Sequence, residues 1–282
     1  MALWLGVDGG GTGCRAAVAD ASGLVLGRAD AGPANIASDL PGALASILHA
    51  STAALSQIVG PDHAVAGLAA LHAGLGLAGA NAAGATDALI AALPFARARV
   101  ETDAITAVKG ALRDGDGIVA ALGTGSVFAR QQAGTIRQIG GYGLVMGDEG
   151  SGARLGRSLL ARALRAFDGL EAMTPLLSAV IDEWRGPDGI VRFAISARPA
   201  DFATLARRMV SSDDPAAVAL MQAATPDVAR WIDHLQQGAA LPVVFIGGLG
   251  PTYAARLAGR WPIVPALGTS LDGALMLARE AG

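Results

Sequence analysis

The residues best suited to chemistry fall in two glycine-rich turns. Asp8-Gly9-Gly10-Gly11-Thr12 and Gly123-Thr124-Gly125-Ser126 each follow a short apolar run and lead into another. Glycine lets successive backbone N–H groups converge on a phosphate with no Cβ in the way. Thr12, Thr124 and Ser126 add hydroxyl donors for anionic oxygens. Asp8 would repel the same anion unless a cation lay between them, so it is the expected Mg²⁺ residue, directly or through water. Either turn alone reads equally well as an ordinary hairpin turn. Their recurrence at the start of both halves of the chain favours phosphate binding.

Two other nucleotide loops do not fit. The Walker A pattern G-x-x-x-x-G-K-[ST] is absent, and Lys109, the only lysine, is not beside such a loop. Cys14 stands where a Rossmann turn has its last glycine, and a strand follows it instead of a helix. Cys14 is also the only cysteine, which leaves no disulfide framework and no thiolate metal site. His49, His63, His72 and His234 lack the i, i+4 spacing of a zinc motif.

The elements that hold the turns follow from the hydrophobic pattern. Leu3 to Val7 reads as a buried strand stopped by the glycines, and the stretch after Cys14 as two strands of a hairpin broken at Ser22-Gly23. Pro41 opens a helix carrying Leu44, Ile47, Leu48, Leu55 and Ile58 at helical spacing. A strand is expected at Ala64 to Ala70, with His72 in the loop behind it, then a helix near Thr86 to Leu93 and a strand near Arg99 to Glu101. Thr102 or Asp103 caps the next helix, Ala104 to Leu112. At Gly117 the pattern restarts: strand Ile118 to Leu122, the second glycine turn, and a hairpin of Val127 to Arg130 and Ile136 to Ile139. A mainly helical stretch runs from Gly150 to Gly238. Strands Pro242 to Ile246 and Ile263-Val264 follow, then a helix from Ser270 to Arg279. Two α/β domains of related topology account for this order. One is residues 1–115 with the helix 268–282; the other is residues 116–267 with a helical insertion.

A net charge of −3 over 282 residues, with no run of Lys and Arg, offers no footprint for nucleic acid or an anionic membrane. Hydrophobic residues at 52% against 16% charged argue against disorder. The charge-poor stretch from Ala64 to Leu93 is interrupted by His72, Asn81 and Asp87, so it reads as packed and not membrane-spanning. The first apolar stretch stops at Asp8, too early for a signal peptide. A cytoplasmic protein is expected.

Several segments resemble one family. DGGGTGCR (Asp8 to Arg15) is similar to the first phosphate motif of the actin, hexokinase and Hsp70 superfamily. Its triple-glycine form resembles the N-acetylglucosamine kinase and BadF/BadG/BcrA/BcrD ATPase group. ALGTGS (Ala121 to Ser126) resembles that group's second phosphate motif, and FIGGLG (Phe245 to Gly250) its adenosine motif. GGYGLVMGDEGSGARLG (Gly140 to Gly156) resembles its GGWG-x-x-L-G-D-E-G-S-G segment, with Tyr142 for Trp and Met146 for Leu. The matches span nearly the whole chain in the family's order.

The resemblance implies an α/β two-domain actin-like ATPase (ribonuclease H-like) fold with a nucleotide cleft between the domains. It implies ATP and Mg²⁺ as cofactors, a small-molecule amino-sugar as partner, and leaves a homodimer open. Gly9, Gly10, Gly11, Thr12, Thr124, Gly125, Ser126, Gly247 and Gly248 would surround the nucleotide. Asn35, Asp103, Thr124, Gly141 and Asp148 would meet the sugar, and Asp103 would be the catalytic base. A hexose kinase needs a base at the acceptor hydroxyl, because phosphoryl transfer leaves mostly positioning and charge stabilisation to the protein. Asp103 lies between a strand and a helix whose N-terminus helps keep it ionised; a capping role is compatible with this. Asn35 is read without the family as a turn residue after Gly32-Pro33. Glu149, beside Asp148 on what reads as extended backbone, would hold the loop.

The implied activity is transfer of the γ-phosphate of ATP to the 6-hydroxyl of N-acetylglucosamine. The alternative acceptor is glucosamine, or another amino-hexose or muramic sugar, since motifs that fix ATP do not fix the acceptor. A reductase-activating ATPase of the same group would need cysteines for an iron–sulfur cluster, and Cys14 alone cannot supply them. A catalytically silent sugar sensor is disfavoured by the intact Asp8 and Asp103.

Overall fold

The computed structural model describes residues 2–280; Met1, Ala281 and Gly282, part of the expected first domain, lie outside the described residues. In chain order the elements are β1 (Trp4–Gly9), β2 (Cys14–Ala19), β3 (Val25–Ala31), α1 (Leu40–Val59), α2 (Pro61–Gly67), β4 (His72–Leu77), α3 (Ala85–Ala92), β5 (Arg97–Thr102) and α4 (Asp103–Leu112). There follow β6 (Gly117–Leu122), β7 (Ser126–Gln132), β8 (Thr135–Gly140), α5 (Gly143–Met146), α6 (Gly152–Phe167), α7 (Pro175–Glu183), α8 (Pro187–Ser196), α9 (Pro199–Ala203) and α10 (Arg207–Val210). The last are α11 (Pro215–Gln236), β9 (Val243–Ile246), α12 (Gly250–Arg256) and α13 (Ser270–Glu280).

The chain divides into two compact units: Met1–Gly117 with Arg130–Arg137 and Pro265–Gly282, and Ile118–Ala129 with Gln138–Val264. The tip of the β7–β8 hairpin belongs to the first. There the Gln131 amide donates to the carbonyls of Arg113 and Gly115 at 2.6 and 2.8 Å, and the Ala133 N–H donates to Asp116 Oδ1 at 2.8 Å.

The first unit is built on a five-stranded sheet in the order β3-β2-β1-β4-β5. β1 pairs antiparallel with β2 and parallel with β4. Alternation along each strand sorts its two faces. Leu5, Val7, Ala16 and Val18 share a core with Ala43, Ile47, Ala50 and Leu55 of α1. The intervening Ala17 and Ala19 pack against Leu271 and Leu275 of α13. Glycine brings that second helix close: a Cβ on Gly74 would lie 2.2 Å from the Ala274 carbonyl oxygen, and one on Gly110 of α4 1.8 Å from that of Thr269. α1 is the one described helix long and apolar enough to cross a membrane, and here its apolar residues cover the sheet.

The second unit has a four-stranded sheet ordered β8-β7-β6-β9, with β6 and β9 parallel. Ile118, Leu122 and Phe128 from the sheet meet Leu155 and Leu159 of α6, Val228 and Ile232 of α11, and Tyr253 of α12. The Phe128 ring stacks on Trp231, centroids 5.8 Å apart.

Two strand expectations fail. Ala64 to Ala70 is helical, being the end of α2 and a 3-10 turn at Leu68–Ala70, and the strand begins instead at His72. Pro61 opens this helix after Gly60, and Ala64 and Leu68 bury one helical face. β4 was hidden because Gly74 and Gly76, not polar residues, alternate with its leucines: Gly74 faces α13, and a Cβ on Gly76 would strike Thr106 of α4 at 1.9 Å. His72 is therefore the first residue of a strand and not a loop residue. Ile263 makes only an isolated bridge to Val243. Pro262 and Pro265, on either side, cannot donate to a ladder.

Candidate active site

β1 carries Asp8 to the edge of the first turn, opposite Arg15 in the β1–β2 register, with the guanidinium 3.9 Å from the carboxylate. Gly9 is required by packing: a Cβ there would lie 2.6 Å from Leu77 Cδ2 and 2.9 Å from Ala34 Cβ. At Gly10 and Gly11 a Cβ would meet nothing within 4 Å, and Thr12 is exposed at the tip. The backbone of the turn is braced from below. Ala78 N–H donates to the Gly9 carbonyl at 2.8 Å, Ala34 N–H to that of Gly10 at 2.9 Å, and Gly10 N–H to that of Gly13 at 2.9 Å.

Asp103 begins α4. Thr102 is the cap, its hydroxyl accepting the Ile105 N–H at 3.3 Å, while Asp103 Oδ1 accepts the Ala104 N–H at 2.9 Å. Burial raises the pKa of Asp103, and that hydrogen bond pulls it partly back. Asp8 is also raised, by burial first, with Arg15 lowering it and the charge of Asp103 raising it. Asp8, a part-buried carboxylate that feels the charge of Asp103 and has only a loose guanidinium beside it, is a donor suited to a hard cation. Among the described residues no cluster of three or more His, Cys, Asp or Glu could hold a metal alone. One carboxylate completed by phosphate oxygens and water is the usual way Mg²⁺ is bound, and Asp8 fits it.

Asn35 follows Ala34, which touches the first turn. Its Oδ1 accepts from Ala37 N–H at 3.0 Å and Ser38 N–H at 3.2 Å. Both lone pairs are thereby engaged, so toward a ligand Asn35 can act as donor only.

In the second unit, Thr124 is exposed at the tip of its turn while Ser126 is buried beneath it. Gly123 N–H donates to the Gly125 carbonyl at 3.0 Å. From α6, Gly152 N–H reaches the Gly123 carbonyl at 2.8 Å and Ala153 N–H that of Thr124 at 3.1 Å. Asp148, buried, accepts the Ser126 N–H at 3.2 Å, and its pKa is raised mainly by that burial. The expectation of extended backbone at this acid fails: Asp148 has φ +62°, in the left-handed region. Glu149 turns instead to Arg154 at 3.4 Å, and Arg154 also donates to the Gly147 carbonyl at 3.0 Å, so this pair ties the loop.

Gly247 sits against the entry to the turn with φ +84°, and a Cβ there would lie 2.5 Å from the Leu122 carbonyl oxygen; at Gly248 it would meet nothing. Gly247 thus has a packing reason to be glycine, whereas Gly248 leaves room for a ligand. Gly141 has φ +75° beside Val127, in a loop where Tyr142 is 69% exposed.

The structure therefore gathers Asp8 to Thr12, Asn35 and Asp103 on the first unit. Thr124 to Ser126, Gly141, Asp148, Gly247 and Gly248 lie on the second. Sequence reasoning missed the bonds from α6 to the second turn. Their available signal was Ser151, the N-cap of α6, whose hydroxyl accepts the Arg154 N–H at 3.1 Å.

Two α/β units that each open with strand, glycine turn and hairpin are the architecture of actin-like ATPases and sugar kinases. The chain belongs to the BadF/BadG/BcrA/BcrD ATPase family, whose sequence profile matches residues 5–257. It is 32% identical to a glucosamine kinase of Vibrio cholerae, over 99% of this chain and 96% of that protein. It resembles the crystal structure of a candidate N-acetylglucosamine kinase from Chromobacterium violaceum with a TM-score of 0.89, at 33% identity and 99% coverage of both chains. A ROK family glucokinase from Streptomyces griseus, solved with glucose and AMPPNP, shares the fold at a TM-score of 0.58 and 20% identity, covering 99% of both chains.

Proposed function

We propose that the protein is an ATP-dependent amino-sugar kinase acting in the cytoplasm, passing the γ-phosphate of ATP to the 6-hydroxyl of an amino-hexose. The observation that carries this is Asp103, a part-buried carboxylate at the start of α4 that shares its surroundings with Asp8 and the first glycine turn. A base raised by burial accepts a hydroxyl proton more readily than an exposed aspartate. Asp103 would take the proton of the acceptor hydroxyl, and the Asn35 amide would donate to another sugar hydroxyl. On the second unit, Gly141 and Asp148 are the positions that the family resemblance assigns to the acceptor. Backbone N–H groups at Gly11, Thr124 and Gly125, with the Thr12 and Thr124 hydroxyls, would hold phosphate oxygens, the Gly10 N–H being already given to the Gly13 carbonyl. The open face at Gly248 would take the adenosine. Asp8 would hold Mg²⁺, which when bound supplies positive charge to the transferring phosphate.

The full-length relative supports glucosamine as acceptor, and the similar crystal structure supports N-acetylglucosamine. An ADP-release screen over glucosamine, N-acetylglucosamine, N-acetylmannosamine, muramic derivatives and glucose tests the reading. An amino-sugar should stimulate turnover well beyond glucose. Steady ATP hydrolysis that no sugar accelerates would sink the kinase reading.

A further inference from the structure

We infer that Asp148 is a positioning residue for the second phosphate turn, holding its backbone together with the first turn of α6 so that the Thr124 and Gly125 N–H groups face the nucleotide. The inference rests on the kinase reading for the identity of that ligand.

The argument begins with peptide planarity. No peptide bond among the described residues is cis, so each carbonyl points opposite to the N–H that follows it. The Gly123 carbonyl is bound toward α6 by Gly152 N–H, which turns the Thr124 N–H away from the helix. The Thr124 carbonyl is bound by Ala153 N–H, which turns the Gly125 N–H the same way. The next donor is reversed: Ser126 N–H points inward and ends on Asp148 Oδ1. Two outward donors are thus set by three inward bonds, and the only side chain among the three is Asp148.

Its own conformation supports the assignment. Asp148 is a non-glycine residue at φ +62°, a conformation that surroundings must enforce and that concentrates at functional sites. It is only 6% exposed, and a Cβ on Gly125 would lie 3.2 Å from both of its carboxylate oxygens, so the acid packs directly under the turn. Its backbone takes part as well, the Asp148 carbonyl accepting Ser151 N–H at 3.0 Å at the start of α6. An acid that served only the sugar would need none of these contacts.

The test is calorimetric binding of Mg·ADP without sugar to the wild type, Asp148→Ala and Asp148→Asn, with thermal melts to confirm folding. Removing a buried hydrogen-bond partner commonly loses about ten- to a hundredfold in the equilibrium it supports, and that loss is expected in Asp148→Ala. Asp148→Asn should recover nucleotide affinity to within about threefold, because Asn tolerates positive φ and its Oδ1 accepts the same bond. Wild-type nucleotide affinity in a folded Asp148→Ala, with only the KM for sugar raised, would overturn the inference and leave the kinase reading standing. If Asp148→Ala does not fold, Gly125→Ala replaces it: its Cβ presses on the carboxylate and should weaken Mg·ADP, and unchanged affinity there is equally fatal. A wild type that binds no nucleotide defeats the kinase reading itself.

Discussion

The two glycine turns share one pattern of glycines and hydroxyl side chains but are held in place differently. The first is braced by backbone alone, from Ala34 after β3 and Ala78 after β4, and carries its acid in the strand that enters it. The second is held by backbone from the start of α6 and by the Asp148 side chain, and the strand entering it supplies no acid. Two copies of one supersecondary pattern can therefore divide labour. In the proposed reading the first unit's carboxylates would serve metal and proton, and the second unit's carboxylate would serve geometry.

The sharpest way to break this comparison is Asp103→Asn. Asn keeps the shape and can still accept the Ala104 N–H, but it cannot receive the hydroxyl proton. Loss of a general base commonly costs about 10²- to 10⁴-fold in kcat, and that drop is expected with ATP binding intact. Stability should move the other way. An acid whose folded pKa lies above the unfolded value of 3.8 binds its proton more tightly when folded, so its ionised form destabilises the fold. That penalty is present in full above the raised pKa and vanishes as pH falls from it toward 3.8. Asp103→Asn should therefore melt higher than wild type at pH 7, with the two curves converging near the ordinary carboxylate range. Normal kcat in this variant would remove Asp103 from the mechanism.

Asp8→Ala comes next. Turnover should fall by roughly 10- to 100-fold, with a raised Mg²⁺ requirement at fixed ATP, if a charge-assisted contact worth about 1.5–3 kcal/mol is lost. An unchanged Mg²⁺ titration would reduce Asp8 to a partner of Arg15. Gly9→Ala and Gly10→Ala then separate bracing from binding. The first should destabilise by about 1–3 kcal/mol in urea melts, because Leu77 and Ala34 leave no room. The second should leave the melt alone and act on the KM for ATP. The smallest effect is expected for Ser126→Ala, within about threefold in kcat/KM, since the donor used there is backbone and the hydroxyl contributes only a weak neutral bond. A larger loss would mean that the Ser126 hydroxyl reaches the phosphate after all.

Strand–glycine–hairpin order was legible because glycine after an apolar run is a strong local signal for a turn, and its recurrence showed two α/β halves, while the actin-like class came from the family resemblance. β4 was not legible, because its second face is glycine packed against helices, and local pattern cannot distinguish a small residue under a helix from one in a turn. The same limit applied to Gly9 and Gly247, whose tight neighbours are far away in sequence. Asn35 was named correctly as a turn residue, while the loss of its acceptor to Ala37 and Ser38 is a fact of three dimensions. The left-handed backbone of Asp148 had no sequence cue, since Gly147 and Gly150 around it are equally compatible with an open loop.

The return of α13 to the first sheet bears on how the chain is made. Gly6 and Gly74 are among the early residues, yet the helix that lies over them begins at Ser270, after the whole second unit. During synthesis the part of this sheet face that α4 leaves uncovered, from Gly6 to Gly74, stays bare until nearly everything else has emerged. Contacts of such sequence separation form slowly, because a long loop must close before they contribute. The second unit's core, by contrast, lies within residues 118–257 and has no such wait. The nested unit can therefore be complete while the unit built from both ends of the sequence is still waiting for α13, and a ribosome stalled before residue 270 would expose the apolar patch beside α4 to the chaperones of the cell.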